Sequence, residues 1–183
     1  MMVKIGFIVG SLRQNSFSER WAHNLEALFP SEYEIEYLNF SNLPLYSEDY
    51  DGKEPQVYLD FREAIKRQDA IVFITPEYNR SIPGGFKNAI DVASRPYGEN
   101  VWDGKPALVV THSISDISGA LANHALRQVL TFINMPVLQQ PEVYLSNSQK
   151  LLDNDGKITN DGTKKFLQSV VEAYITFIEK FLK

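Results

Sequence analysis

Two short stretches hold most of the residues able to do chemistry. The first reads Gly10-Ser11-Leu12-Arg13-Gln14-Asn15-Ser16. It follows a run rich in Val, Ile and Phe and precedes a segment of helical period. Free N–H groups and the helix dipole gather at such a junction and favour an anion. Ser11 and Ser16 add hydroxyl donors, and Arg13 adds a planar charged fork suited to phosphate. The stretch is not a Walker A loop, because no Gly-Lys-Ser/Thr ends it. It is not a G-x-G-x-x-G dinucleotide loop either, because Leu12 occupies the place of the second glycine. One phosphate of a mononucleotide suits it best; the plainer alternative is a polar turn with Ser16 as N-cap. The second stretch reads Pro76-Glu77-Tyr78-Asn79-Arg80-Ser81-Ile82-Pro83-Gly84. Its two prolines stiffen it. Tyr78 is suited to lie against a planar ring whose heteroatoms face backbone amides, or equally to pack inward in an ordinary rigid loop.

Other chemistries are excluded or unsupported. There is no cysteine among the 183 residues. A disulfide framework, a thiolate metal site, an iron–sulfur cluster and a thiol nucleophile are therefore ruled out. His23, His112 and His124 are too scattered for a metal site, and His112, after a strand, is expected to be packed or hydrogen-bonded. Asp153-Asn154-Asp155-Gly156 has a glycine too early, and no closing Glu, for a calcium loop, so it reads as an exposed turn. No serine lies in a nucleophile elbow. The formal net charge of -5 gives no electrostatic footprint for nucleic acid or an anionic membrane. Apolar runs such as Ala70–Ile74 and Ala107–Val110 are too short to span a bilayer. No signal peptide is read, so the expected location is cytoplasmic.

The elements that must position the two stretches follow from hydrophobic period. Hydrophobic residues make up 44% of the chain and charged ones 22%, as in one globular domain spanning residues 1–183. Val3–Val9, Glu34–Leu38, Ala70–Thr75, Pro106–Thr111 and Val137–Leu145 read as strands, the last interrupted by Pro141. Trp21, Leu25, Leu28 and Phe29 mark a first helical face that Pro30 ends, and Ser16 and Glu19 have capping-box spacing. Further faces are Val57/Phe61/Ala64/Ile65, Phe86/Ile90/Ala93, Leu121/Ala125/Leu126/Val129/Ile133 and Phe166/Val170/Tyr174/Phe177/Phe181. Pro83 is expected in the first turn of the third helix, and 39–54 to be loop. Strict alternation predicts an α/β/α sandwich on a five-stranded parallel sheet of flavodoxin-like order 2-1-3-4-5. The switch point of that order lies between the first and third strands. Ligands bind at the carboxyl ends of strands there, which selects both stretches and the neighbouring 112–118 loop.

Gly10-Ser11-Leu12-Arg13-x-x-Ser16 and Pro76-Glu77-Tyr78-Asn79-x-Ser81-x-Pro83-Gly84-x-x-Lys87-Asn88-Ala89-Ile90-Asp91 resemble the signatures of the NADPH-dependent FMN reductase family, which includes quinone, azo-dye and chromate reductases. Leu126-Arg127-Gln128-Val129-Leu130, Met135-Pro136-Val137 and Pro141-Glu142 resemble its second half. The resemblance implies bound FMN, with NADPH or NADH as co-substrate and a quinone, flavin, azo compound or metal oxyanion as acceptor in ping-pong turnover. It implies that Ser11, Arg13, Asn15 and Ser16 hold the FMN phosphate. Pro76, Glu77, Tyr78 and Asn79 would line the isoalloxazine, largely through backbone groups, and Ser113 would approach its pyrimidine end. No side chain is expected to act as acid or base. Ser115 and Ser118 stand where relatives tend to have glycines, and Asp116 adds a charge nearby. The alternatives are a non-enzymatic electron carrier and a sensor that has lost catalysis. A homodimer or homotetramer is expected, with the helices around Phe86–Ala93 and Leu121–Ile133 as candidate interfaces.

Overall fold

A computed structural model describes residues 2–182. Five strands alternate with five helices: β1 (Val3–Val9), α1 (Phe17–Glu26), β2 (Tyr33–Tyr37), α2 (Gln56–Lys66), β3 (Ala70–Pro76), α3 (Gly84–Ala93), β4 (Ala107–His112), α4 (Ala120–Phe132), β5 (Val143–Leu145) and α5 (Asp161–Ile178). The sheet order is β2-β1-β3-β4-β5 and every pair is parallel. Parallel strands need crossovers, and the helices supply them on both faces.

Alternation along the strands sorts two cores. Ile71, Phe73 and Val109 pack with Phe61, Ile65, Phe86, Ile90, Leu126 and Leu130 from α2, α3 and α4. Val72, Ile74, Leu108 and Val110 pack with Trp21, Leu25, Val170 and Tyr174 from α1 and α5. All seven residues of β3 are buried, as a strand covered on both sides must be. Gly10 is required where β1 meets β3, since a Cβ there would lie 2.7 Å from the Thr75 Cβ. No described helix is long and apolar enough to cross a membrane.

The bounds differ from expectation where backbone donors are missing. β5 covers Val143–Leu145 alone, whereas Val137 makes an isolated parallel bridge to Ala107. Pro141 lies between the two and has no N–H to continue the ladder. The loop 39–54 includes a 3-10 turn at Glu48–Tyr50 and is pinned to α3 by Asn88. The Asn88 amide accepts from the Tyr46 N–H at 2.9 Å and donates to the Pro44 carbonyl at 2.9 Å. Lys87 pairs with Asp91 one helical turn on, at 2.7 Å. These members of the long second motif thus shape the scaffold. Gly156, expected in an exposed turn, is itself buried against Arg20, although Asp153–Asp155 are exposed.

Candidate active site

The carboxyl ends of β1, β3 and β4 enclose a cleft of about 300 Å³. It is lined by Ser11, Arg13, Ser16, Phe17, Ser18, Pro76, Glu77, Tyr78, His112, Ser113 and Ile114. Both nominated stretches and the 112–118 loop therefore meet at the switch point. Pro76 ends β3 and His112 ends β4; the other nine residues lining it lie on the loops and helix end that the strands position.

The first loop leaves its donors open. Ser16 caps α1 by accepting from the Glu19 N–H at 3.1 Å, which keeps its own O–H free to donate. The N–H groups of Gln14, Asn15, Ser16, Phe17 and Ser18 have no partner among the described residues. Asn15 takes φ 52°, a left-handed conformation that Asn tolerates and that bends the loop around its amides. The Arg13 guanidinium lies over the Phe17 ring at 5.8 Å and has one weak bond to the Asn15 carbonyl, at 3.4 Å. A positive fork, serine hydroxyls and a helix N-terminus with open amides form the donor set that a phosphate dianion requires.

The second loop is self-paired. Tyr78 and Ser81 exchange N–H···O bonds of 2.8 and 2.9 Å around Asn79 (φ 49°) and Arg80 (φ 66°). Two central residues at positive φ make this a type I′ turn. The Glu77 N–H donates to the His112 carbonyl at 3.1 Å. The resemblance implies backbone contacts from Pro76, Glu77, Tyr78 and Asn79; of these, the Glu77 and Tyr78 N–H groups are bonded within the protein. Asn79 and Arg80 carry the unpartnered amides of this turn. The Tyr78 ring is 51% exposed at the rim, so it is not packed inward.

The Glu77 carboxylate has a task that the sequence did not disclose. It accepts from the N–H groups of Leu121 and Ala122, at 3.1 and 3.2 Å. The N-cap of α4, Gly119, has no side chain to do so. A loop 44 residues upstream thus caps the helix and complements its dipole. Arg80 lies 3.5 Å from the same carboxylate.

In the third loop Ser113 Oγ sits 2.9 Å from Ser115 Oγ and accepts from the Ser115 N–H. Asp116 accepts from Asn147 at 2.6 Å and does not line the cleft. Ser118 adopts φ 62°, a left-handed conformation that favours glycine. Beneath this loop His112 is 4% exposed and bonds Ser18 and Ser148. Burial holds its pKa down to about 4, so the ring is neutral. Phe17 and Ser18 line the cleft just beyond the first stretch, where no motif marks them. Arg127 reaches Glu142 at 4.0 Å and bonds Asn123 and Leu138 within its own chain, which is a local role.

Comparison with known proteins agrees with this geometry. The family model described as NADPH-dependent FMN reductase matches residues 3–150. A quinone reductase of Pseudomonas putida is 45% identical over 176 residues, covering 96% of this chain and 94% of that one. A 2-hydroxy-1,4-benzoquinone reductase of Burkholderia is 40% identical, covering 97% of both. Among solved structures, the flavoenzyme NAD(P)H:(acceptor) oxidoreductase FerB of Paracoccus denitrificans superposes with a TM-score of 0.91 at 38% identity, covering 98% of both chains. With its phosphate-suited loop, exposed Tyr78 and doubly wound sheet, the chain belongs to the NADPH-dependent FMN reductase family, as an NAD(P)H-dependent FMN oxidoreductase.

Proposed function

We propose that the protein reduces a small organic acceptor, a quinone by preference, at the expense of NAD(P)H. FMN held there would supply the redox chemistry, hydride transfer between NAD(P)H and the acceptor in ping-pong turnover. The residues of this chain bind, orient and polarise. Ser11, Arg13, Asn15, Ser16 and the open amides of α1 hold the phosphate. Pro76, Glu77, Tyr78 and Asn79 shape the ring site: Tyr78 by its exposed ring, Asn79 by its free N–H, Glu77 by fixing the loop. Ser113 would approach the pyrimidine end. Donors placed there stabilise negative charge on the ring system without any side chain acting as acid or base.

The observation that carries the reading is the row of amides from Gln14 to Ser18, unpartnered among the described residues, of which Ser16, Phe17 and Ser18 line the cleft beside Arg13. The quinone preference is supported by the quinone reductases among the relatives. The test is anaerobic: saturate the protein with FMN, remove the excess, add NADPH or NADH, then a quinone. Bleaching of the visible band by either donor, and its return with quinone, is expected. Retained FMN that neither donor bleaches would sink the proposal in favour of an electron carrier.

We also propose a homodimer or homotetramer. Phe86, Ile90, Leu126 and Leu130 are fully buried in the chain's own core, so any interface uses the outward faces of α3 and α4. A groove of about 840 Å³ lies between them, lined in part by Ile82, Lys87, Arg95, Val129 and Phe132. Phe132 is 87% exposed, and the groove adjoins Ser81 and Ile82 of the second loop. A second copy there would cover Phe132 and wall the ring site. A monomer mass by light scattering at every concentration would overturn this.

A further inference from the structure

His112 is the residue on which the three loops of the cleft converge. Its carbonyl accepts the Glu77 N–H, which fixes the second loop. Its backbone packs under Gly119, whose φ is 83° and where a Cβ would approach to 3.0 Å. Its ring lies between two serine hydroxyls, with Nε2 at 2.7 Å from Ser18 Oγ and Nδ1 at 3.2 Å from Ser148 Oγ. Ser18 is the second residue of α1 and is itself 1% exposed. Ser148 follows β5, and its N–H donates to the Ser113 carbonyl at 3.0 Å. The imidazole thus ties the first turn of α1 to the segment that supports Ser113.

A neutral imidazole has one donor and one acceptor, and burial keeps this ring neutral. The two serines must therefore play opposite parts, one giving a proton to the ring and the other accepting one. A buried ring satisfied on both sides fixes its neighbours in one arrangement, because breaking either bond strands a polar atom away from water. The N–H of Ser18 is among the unpartnered amides of the cleft.

We propose that the His112 side chain is a positioning residue: through Ser18 it sets the first turn of α1 against the ring-holding loops, so that phosphate and ring are grasped in one fixed geometry. This rests on the FMN reading above. The division of labour is specific. The backbone of His112 holds the second loop, whereas the ring acts on the phosphate end.

The test compares FMN with riboflavin, which lacks the phosphate, by fluorescence titration of the wild type, Ser18→Ala, His112→Leu and His112→Gln, with thermal melting alongside. Ser18→Ala and His112→Leu are expected to weaken FMN by about tenfold, the scale of one hydrogen bond. Riboflavin affinity is expected to stay near that of wild type. His112→Gln, whose amide reaches to the Nε2 position, is expected to recover most of the FMN affinity. Should His112→Leu fail to fold, Ser18→Ala removes a single hydroxyl and carries the test alone. Parallel weakening of FMN and riboflavin, or a lowered melting temperature with both affinities intact, would assign the ring a merely structural role and overturn the proposal. A wild type that binds neither flavin would instead overturn the FMN reading on which it stands.

Discussion

The loops after β1 and β3 are alike in polarity and stand side by side, yet they use their polar groups in opposite ways. Five consecutive N–H groups in the first, from Gln14 to Ser18, are unpartnered among the described residues. In the second, Glu77, Tyr78 and Ser81 all donate within the chain, and the Glu77 carboxylate, 6% exposed, caps α4. One loop is a set of donors awaiting an anion; the other is a rigid wall whose polar groups hold its own shape. A polar signature residue therefore need not be a ligand contact. Its hydrogen-bond partners decide whether it binds or braces.

That contrast can be attacked in order of expected effect. The largest acts on the anchor beneath both loops. The His112 pKa falls from 6.5 unfolded to about 4 folded, so between these values the unfolded chain takes up a proton that the folded one refuses. Stability from this group is complete above pH 6.5, declines as the pH falls toward 4 and is level below that, a loss of roughly 3 kcal/mol. Urea midpoints against pH, wild type beside His112→Gln, would show the decline in the wild type alone. Next, Arg13→Ala should weaken FMN by about thirtyfold, one charge-assisted bond, and leave the urea midpoint unmoved. A large fall in stability would mean that the first loop also braces. Glu77→Ala should do the reverse, costing ~1–2 kcal/mol of stability through the lost cap, with a smaller effect on FMN. If FMN binding falls more than stability, the contrast fails. Smallest, Asn79→Ala should cost about 1 kcal/mol at its left-handed position, while Asn79→Gly is neutral.

The sheet order and the helix faces were legible because hydrophobic period is a local property. Trp21 and Leu25 show their buried face in the sequence, and Ser16 shows its capping role three residues ahead of Glu19. The start of the fifth strand was harder, since Pro141 breaks a run that otherwise reads as continuous. Both loops that meet at the cleft were nominated by topology and by motif together. What escaped was non-local. Nothing near Glu77 announces a helix that begins at Ala120, and nothing near His112 points to Ser18, 94 residues earlier. The I′ turn was also missed, because Asn79-Arg80 lacks the Asn-Gly pair that signals such turns. Nor does Asn88 advertise that its amide fastens the 39–54 segment.

The cap that Glu77 places on α4 makes the start of that helix a reporter. The amides of Leu121 and Ala122 are protected from exchange with deuterated water only while the segment after β3 is in place. Their exchange rates therefore record each opening of the wall after β3, and a fragment beginning beyond residue 77 would start α4 frayed. The breathing of the site can be followed from a helix end that lines no part of the cleft.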